Sequence, residues 1–128
     1  MGVLRWLTRK LADTDLATHA DLKPIKLAGR RGEALLLVSY EIGRLPRWQL
    51  KGTEGKTYTI RATKQRRLRR KPDDVTLRLT SDKGETWLHA ASSGRGIFGD
   101  FGRNRRNLIE LFAALRKAGL AEKEKKKR

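Results

Sequence analysis

Apolar residues recur at helical spacing in three parts of the chain. The clearest row ends before Gly119, which stands where a helix C-cap glycine belongs, and consists of Leu108, Leu111, Phe112 and Leu115. Residues 33–45 form the most apolar stretch, and their Ala, Leu and Glu content favours a helix, with a buried strand as the alternative. Residues 3–12 place apolar and cationic side chains on different sides of a helical wheel. The pattern therefore predicts two long helices and a short N-terminal amphipathic one.

After Pro46 the period changes from helical to alternating. The alternation, interrupted by two turn sequences, predicts two β-hairpins whose strands lie within 48–51, 57–62, 75–80 and 85–91. Residues 25–27, which follow Pro24, are predicted to form a short edge strand. Together these elements predict an α+β fold. We expect a two-layer sandwich, with an antiparallel sheet of four to five strands covered on one face by the two long helices.

The length and composition fit one domain. The chain has 128 residues, of which 38% are hydrophobic, enough for a single core. We expect an amphipathic segment over 1–17, one α+β domain over 18–120 and a disordered basic tail over 121–128. The absence of cysteine excludes disulfides and thiolate sites. The apolar run at the start is too short for a signal peptide or a membrane span, so we expect a cytoplasmic protein.

The net charge points to a polyanionic partner. The chain carries 31 Lys and Arg against 14 Asp and Glu, a formal charge of +17. Such an excess favours nucleic acid, an acidic membrane surface or an acidic protein. Residues 121–128 carry five cations and two glutamates, and so account for only +3 of this charge. The folded part is therefore basic itself.

The densest cationic segment lies between two predicted strands. It contains six cations in eight residues: Lys64, Arg66, Arg67, Arg69, Arg70 and Lys71. A basic loop at a hairpin tip would bind phosphates with a steep salt dependence and little sequence preference. The alternative is a solvated connection whose charges only increase solubility.

A second cationic segment leads into the last helix. It is rich in glycine and carries Arg95, Arg103, Arg105 and Arg106. A helix N-terminus has unpaired N–H groups and a partial positive charge, so arginines there suit an anion held between amides and guanidinium groups. In the alternative, Asp100 and Asn104 brace the loop while the arginines pair with acids such as Asp73 and Asp74.

Enzyme motifs are weak throughout. A Gly-x-Gly-x-x-Gly pattern over 94–99 lacks the parallel strands and crossover helix of a nucleotide-binding fold. Asp-Phe-Gly over 100–102 lacks the other parts of a kinase. His19 and His89 are far apart and have no acidic cluster at ligand spacing. We therefore predict a protein that is not an enzyme, with no metal, no cofactor and no small-molecule substrate.

Residues 19–115 resemble the DUF1499 family of bacterial and plastid proteins, whose function is unknown. Gly-Asp-Phe-Gly-Arg-Asn over 99–104 is the most specific marker, and the others lie over 18–24, 45–48 and 73–75. The chain departs from the family pattern over 69–72 and 91–95. The resemblance implies a compact α+β domain in which four residues form one structural or binding corner: Asp74, Asp100, Arg103 and Asn104. It implies no activity.

The leading hypothesis is therefore non-enzymatic binding of a polyanion, first of all nucleic acid, through the basic loop and the helix N-terminus. A membrane-surface or envelope-associated protein that docks Trp6 and its basic face on anionic lipid is one alternative. A basic scaffold subunit that binds a protein partner in a larger assembly is the other.

Overall fold

The computed structural model describes residues 11–14, 23–66, 71–93 and 101–122. Its elements, in chain order, are β1 (Leu11–Asp13), β2 (Ile25–Leu27), α1 (Arg31–Arg44), β3 (Trp48–Glu54), β4 (Thr59–Lys64), β5 (Asp73–Asp82), β6 (Glu85–Ser93) and α2 (Phe101–Lys117). The predicted α+β class is confirmed, as are both long helices and the edge strand after Pro24.

The strands form one antiparallel sheet in the order β1-β6-β5-β4-β3. Strand β2 also pairs with β6, along a different part of the edge that β1 occupies. The six strands therefore fill five positions, in agreement with the predicted sheet of four to five strands. The two predicted hairpins are β3-β4 and β5-β6.

The N-terminal prediction is wrong where the structure tests it. Leu11 and Ala12, predicted to end a helix, lie in β1 and pair with Ser93 and Ser92. The free edge of β6 offers backbone partners that a helical wheel does not take into account. The rest of the predicted helix, residues 3–10, lies outside the described residues.

The core lies between the sheet and the two helices. Inward-facing residues of β5 alternate with exposed ones, so that Val75, Leu77 and Leu79 are buried. Helix α1 packs over β3, β4 and β5, whereas α2 packs over β6 and β1, and the helices contact each other. The fully buried apolar residues of α2 are those of the predicted row: Leu108, Leu111, Phe112 and Leu115.

Gly119 ends α2 as the sequence predicts. It has a φ of +80°, and the amide of Leu120 donates to the carbonyl of Leu115 over 2.9 Å, as in a Schellman motif. The chain then runs along β2, where Ala121 is buried and bridges Leu27. The packed part of the chain therefore includes the first residue of the segment that we expected to be a tail, and residues 123–128 lie outside the described part.

One end of the sheet gathers the connections singled out by the sequence. Pairing of Trp48 with Lys64, Lys64 with Asp73, and Asp74 with Ser93 places the start of β3, the end of β4, the start of β5 and the end of β6 side by side. Helix α1 ends here and α2 begins here. We call this the basic end, and it comprises the described residues 44–48, 64–66, 71–74, 93 and 101–110.

Candidate functional site

A buried ion pair fixes α2 to the sheet at the basic end. Asp73 is fully buried on the inward face of β5. Arg103 donates to both of its carboxylate oxygens, from Nε over 2.8 Å and from Nη2 over 2.9 Å. Asn107, one turn further along α2, donates from Nδ2 to Asp73 Oδ2 over 2.9 Å. A bidentate guanidinium and a third donor thus compensate a carboxylate that has lost its water.

The same polar cluster continues to β6. Ser92 donates from Oγ to Asn104 Oδ1 over 2.8 Å, and Asn107 Nδ2 lies 3.3 Å from Ser92 Oγ. Ser92 and Asn104 are fully buried, and Asn107 is nearly so. The first two turns of α2 are therefore bound to two neighbouring strands by side-chain hydrogen bonds, which makes this cluster a structural brace.

The corner implied by the family resemblance is described only in part. Arg103 and Asn104 both belong to the brace, where Arg103 binds the carboxylate of Asp73 and Asn104 accepts a hydrogen bond from Ser92. Asp74 lies opposite Thr63 on the other face of the sheet and is only half-buried. Asp100 lies outside the described residues.

Strand alternation is the signal that would have identified Asp73. It stands two residues before Val75, so the two side chains share the inward face of β5. Ser92 likewise stands two residues after the buried Ala90 of β6. Inward positions at the ends of otherwise apolar strands therefore hold the two strand residues of the brace, Asp73 and Ser92.

A second carboxylate of α2, that of Glu110, engages Lys64. Lys64 Nζ and Trp48 Nε1 both donate to Glu110 Oε1, and the Lys64 ammonium lies 5.5 Å from the centre of the Trp48 ring. Burial alone would raise the pKa of Glu110. The hydrogen bonds from Lys64 and Trp48, together with the charges of Lys64 and Arg47, outweigh burial and hold the pKa below its ordinary value. The charge of Lys64, whose side chain is only 14% exposed, is therefore neutralised within the fold.

We expect this interaction to give a measurable acid sensitivity. A carboxyl whose folded-state pKa is lowered stabilises the fold above its unfolded pKa, and this contribution is lost as the pH falls through the folded value. Glu110→Gln should therefore lower the melting temperature by a few degrees near neutral pH, because an ion pair whose carboxylate is about half exposed contributes about 1 kcal/mol or less. The difference from wild type should vanish well below pH 4.5, the ordinary pKa. Thermal melts of both proteins across this range test it, and a difference independent of pH would contradict it.

The other predicted site cations within the described residues also lie around this end. Lys71 and Arg106 are exposed, whereas Arg66 and Arg105 are half-buried. Arg47 is also exposed, although its sequence context did not single it out. Its backbone carbonyl accepts a hydrogen bond from the amide of Gln65. The remaining predicted cations lie outside the described residues: Arg67, Arg69, Arg70 and Arg95.

Ion pairing separates these cations into two groups. Among the described residues, no carboxylate lies in ion-pair contact with Arg47, Arg66, Lys71 or Arg106. The first turn of α2 contains no acidic residue, so nothing in that turn offsets the positive end of the helix dipole. The basic end therefore has an inner layer of ion-paired cations and an outer layer of cations with no ion-pair partner among the described residues, of which Arg47 acts on Glu110 through its charge only.

The described residues contain neither a group of metal ligands nor a membrane-spanning helix. In the described ranges, no three His, Asp or Glu side chains stand close enough together to hold a metal ion. Neither described helix is long and apolar enough to cross a membrane.

Comparison with known proteins places the chain in a family. No curated protein matches it significantly. The profile of the family described as "Protein of unknown function (DUF1499)" matches residues 8–115, which is most of the chain. This match confirms the resemblance found on the sequence motifs, and the chain belongs to the DUF1499 family.

Proposed function

We propose that the protein binds nucleic acid through the outer cations of the basic end, without catalysing a reaction. The proposal depends on the positive charge that remains at the basic end after its two described ion pairs are counted. Asp73 and Glu110 each engage one cation, Arg103 and Lys64. The cations on the outer layer keep their charge for an external partner.

The strand order supports a polyanion rather than a single anion. Arg47 precedes β3, Arg66 follows β4 and Lys71 precedes β5, and these three strands are neighbours. Because neighbouring strands lie about 4.8 Å apart, these cations are spread over a strip of about 10 Å. A strip of separate cations suits a row of phosphates. The sequence between Arg66 and Lys71 adds further arginines, which lie outside the described residues.

Binding is favoured over catalysis because the buried polar groups are already occupied. Both carboxylate oxygens of Asp73 accept hydrogen bonds from Arg103, and Asn107 supplies a third. A general base needs an oxygen within reach of the proton that it removes, and Asp73 is fully buried. A nucleic-acid partner also accords with a cytoplasmic location, which we propose together with this function.

We expect wild-type protein to bind nucleic acid with a steep, log-linear salt dependence. Four phosphate contacts predict a slope of log K against log salt of about −3 to −4, with little difference among sequences. Fluorescence anisotropy with labelled single- and double-stranded DNA and RNA, from about 50 to 200 mM salt, measures this slope. Absence of binding near physiological salt, or a slope near zero, would rule the proposal out.

A further inference from the structure

Helix α1 carries an exposed apolar stripe. Leu36 is 72% exposed, Tyr40 is 63% exposed and Leu37 is 40% exposed. Leu36 and Tyr40 are four residues apart, so their side chains are neighbours on one face of the helix. The opposite face contributes the buried residues Ala34, Leu35, Val38, Ser39 and Ile42 to the core side. The stripe is thus additional to the apolar surface that the fold requires.

Cations border this stripe at both ends. Arg30 lies at its N-terminal end, and Arg44 and Arg47 lie at its C-terminal end. The Arg44 guanidinium lies 5.6 Å from the centre of the Tyr40 ring, so charge and apolar surface are directly adjacent.

The two acidic residues of α1 offset these cations only in part, because Arg44 alone has an ion pair with one of them. Glu41 pairs with Arg44 over 3.3 Å, and its side chain is only 18% exposed. The Glu33 carboxylate lies close to Gly29, and a Cβ atom added to this glycine would be 3.7 Å from a Glu33 oxygen. The exposed surface of α1 is therefore apolar in the middle and cationic at the ends.

We propose that this face of α1 docks on an anionic lipid surface. Leucine and tyrosine side chains enter the boundary between headgroups and acyl chains, where Tyr is favoured because one end is apolar and the other polar. The flanking arginines contact lipid phosphates while their aliphatic stems lie along the apolar surface. The proposal rests on a helix face distinct from Arg66, Lys71 and Arg106, and it does not depend on nucleic-acid binding. Arg47 alone lies beside both surfaces, and the variants that test the two proposals leave it unchanged.

A second copy of the chain fits this stripe less well. Antiparallel pairing of two α1 helices would bring Arg30 against Arg44 and Arg47, and parallel pairing would bring like ends together. Either arrangement places cations against cations. Three exposed apolar side chains also fall far short of the roughly 800 Å² per partner of a stable protein interface. An anionic surface satisfies both the charge and the small apolar area.

Co-sedimentation with vesicles tests this inference. The probes are phosphatidylcholine vesicles with and without phosphatidylserine, and the variant is Leu36→Gln with Tyr40→Gln, which keeps helix propensity. Wild type should bind only the anionic vesicles, and the variant should bind them at least about tenfold more weakly. The control, Ala113→Gln with Ala118→Gln, alters exposed positions on and just after α2 and should bind like wild type.

Three outcomes would overturn the inference. These are no binding of wild type to anionic vesicles, equal binding to neutral ones, or unchanged binding by the Leu36 and Tyr40 variant. A dimer that the variant loses, in a protein that does not bind vesicles, would assign the stripe to self-association instead. Because both substitutions are at exposed positions, the melting temperature and the nucleic-acid affinity should stay at wild-type values, which keeps this test separate from that of the basic end.

Discussion

Replacing Asp73 with Ala is expected to lower the free energy of unfolding by about 3–5 kcal/mol, because it breaks a buried ion pair by removing one partner. Arg103 would lose both of its hydrogen bonds to that carboxylate, and its side chain is only 21% exposed to water. Asn107 would lose the acceptor of its shorter hydrogen bond. A loss of this size is a large fraction of the stability of a small domain.

Asp74→Ala is the matched control for this prediction, since it removes the neighbouring carboxylate. Asp74 is half-buried on the opposite face, where a partly exposed charge contributes about 1 kcal/mol or less. Urea unfolding, monitored by circular dichroism, compares the two variants. An Asp73→Ala chain that is already unfolded without urea would also confirm a large loss of stability. Equal losses for both, or a larger loss for Asp74→Ala, would contradict the assignment of Asp73 to the brace.

Much of the fold could be predicted because each element has a regular period. Val75, Leu77 and Leu79 alternate as a half-buried strand requires, and the row from Leu108 to Leu115 repeats as a helix requires. The same reasoning failed at Leu11 and Ala12. Apolar spacing indicated a helix there, but the two residues form a strand that pairs with the edge of β6. Local patterns carry no information on which edges the rest of the fold leaves unpaired.

The candidate site could be predicted only in part. The sequence shows the cations of 64–71 and the arginines after 102, and it offers pairing of these arginines with Asp73 or Asp74 as one alternative, which holds for Arg103 and Asp73. It does not show the partner of Lys64. Glu110 is 46 residues from Lys64 and 62 from Trp48, so only the packing of α2 across the sheet brings the three together. This long-range contact makes Lys64 structural, whereas composition alone grouped it with the loop cations.

The apolar stripe of α1 could not be predicted from the sequence either. Residues 34–38 are five consecutive apolar residues, and such a run points in every direction around a helix. It therefore indicated a helix without indicating which leucines face the core. The structure buries Leu35 and Val38 and leaves Leu36 exposed.

The second large effect is expected at the outer cations. Arg66→Gln, Lys71→Gln and Arg106→Gln together should lower the salt slope of nucleic-acid binding by about 2–3 and the affinity at 0.1 M salt by about a hundredfold or more, since each phosphate contact contributes about one unit of slope. No described carboxylate pairs with these side chains, so the melting temperature should stay near that of wild type.

The control removes the same charge from the opposite end of the sheet. Lys56 and Lys83 lie in the turns after β3 and β5, and Lys117 ends α2. Changing these three to Gln leaves a net charge of +14, as in the first variant, because each loses three cations from +17. Any difference between the variants therefore reports the position of the charge rather than its amount.

The salt slopes of these two variants, measured side by side on one labelled single strand, test the nucleic-acid site at the basic end most directly. The account predicts a shallower slope and weaker binding for the Arg66, Lys71 and Arg106 variant, with the control close to wild type. Equal losses in both variants would mean that binding follows net charge alone, and would contradict a site at the basic end.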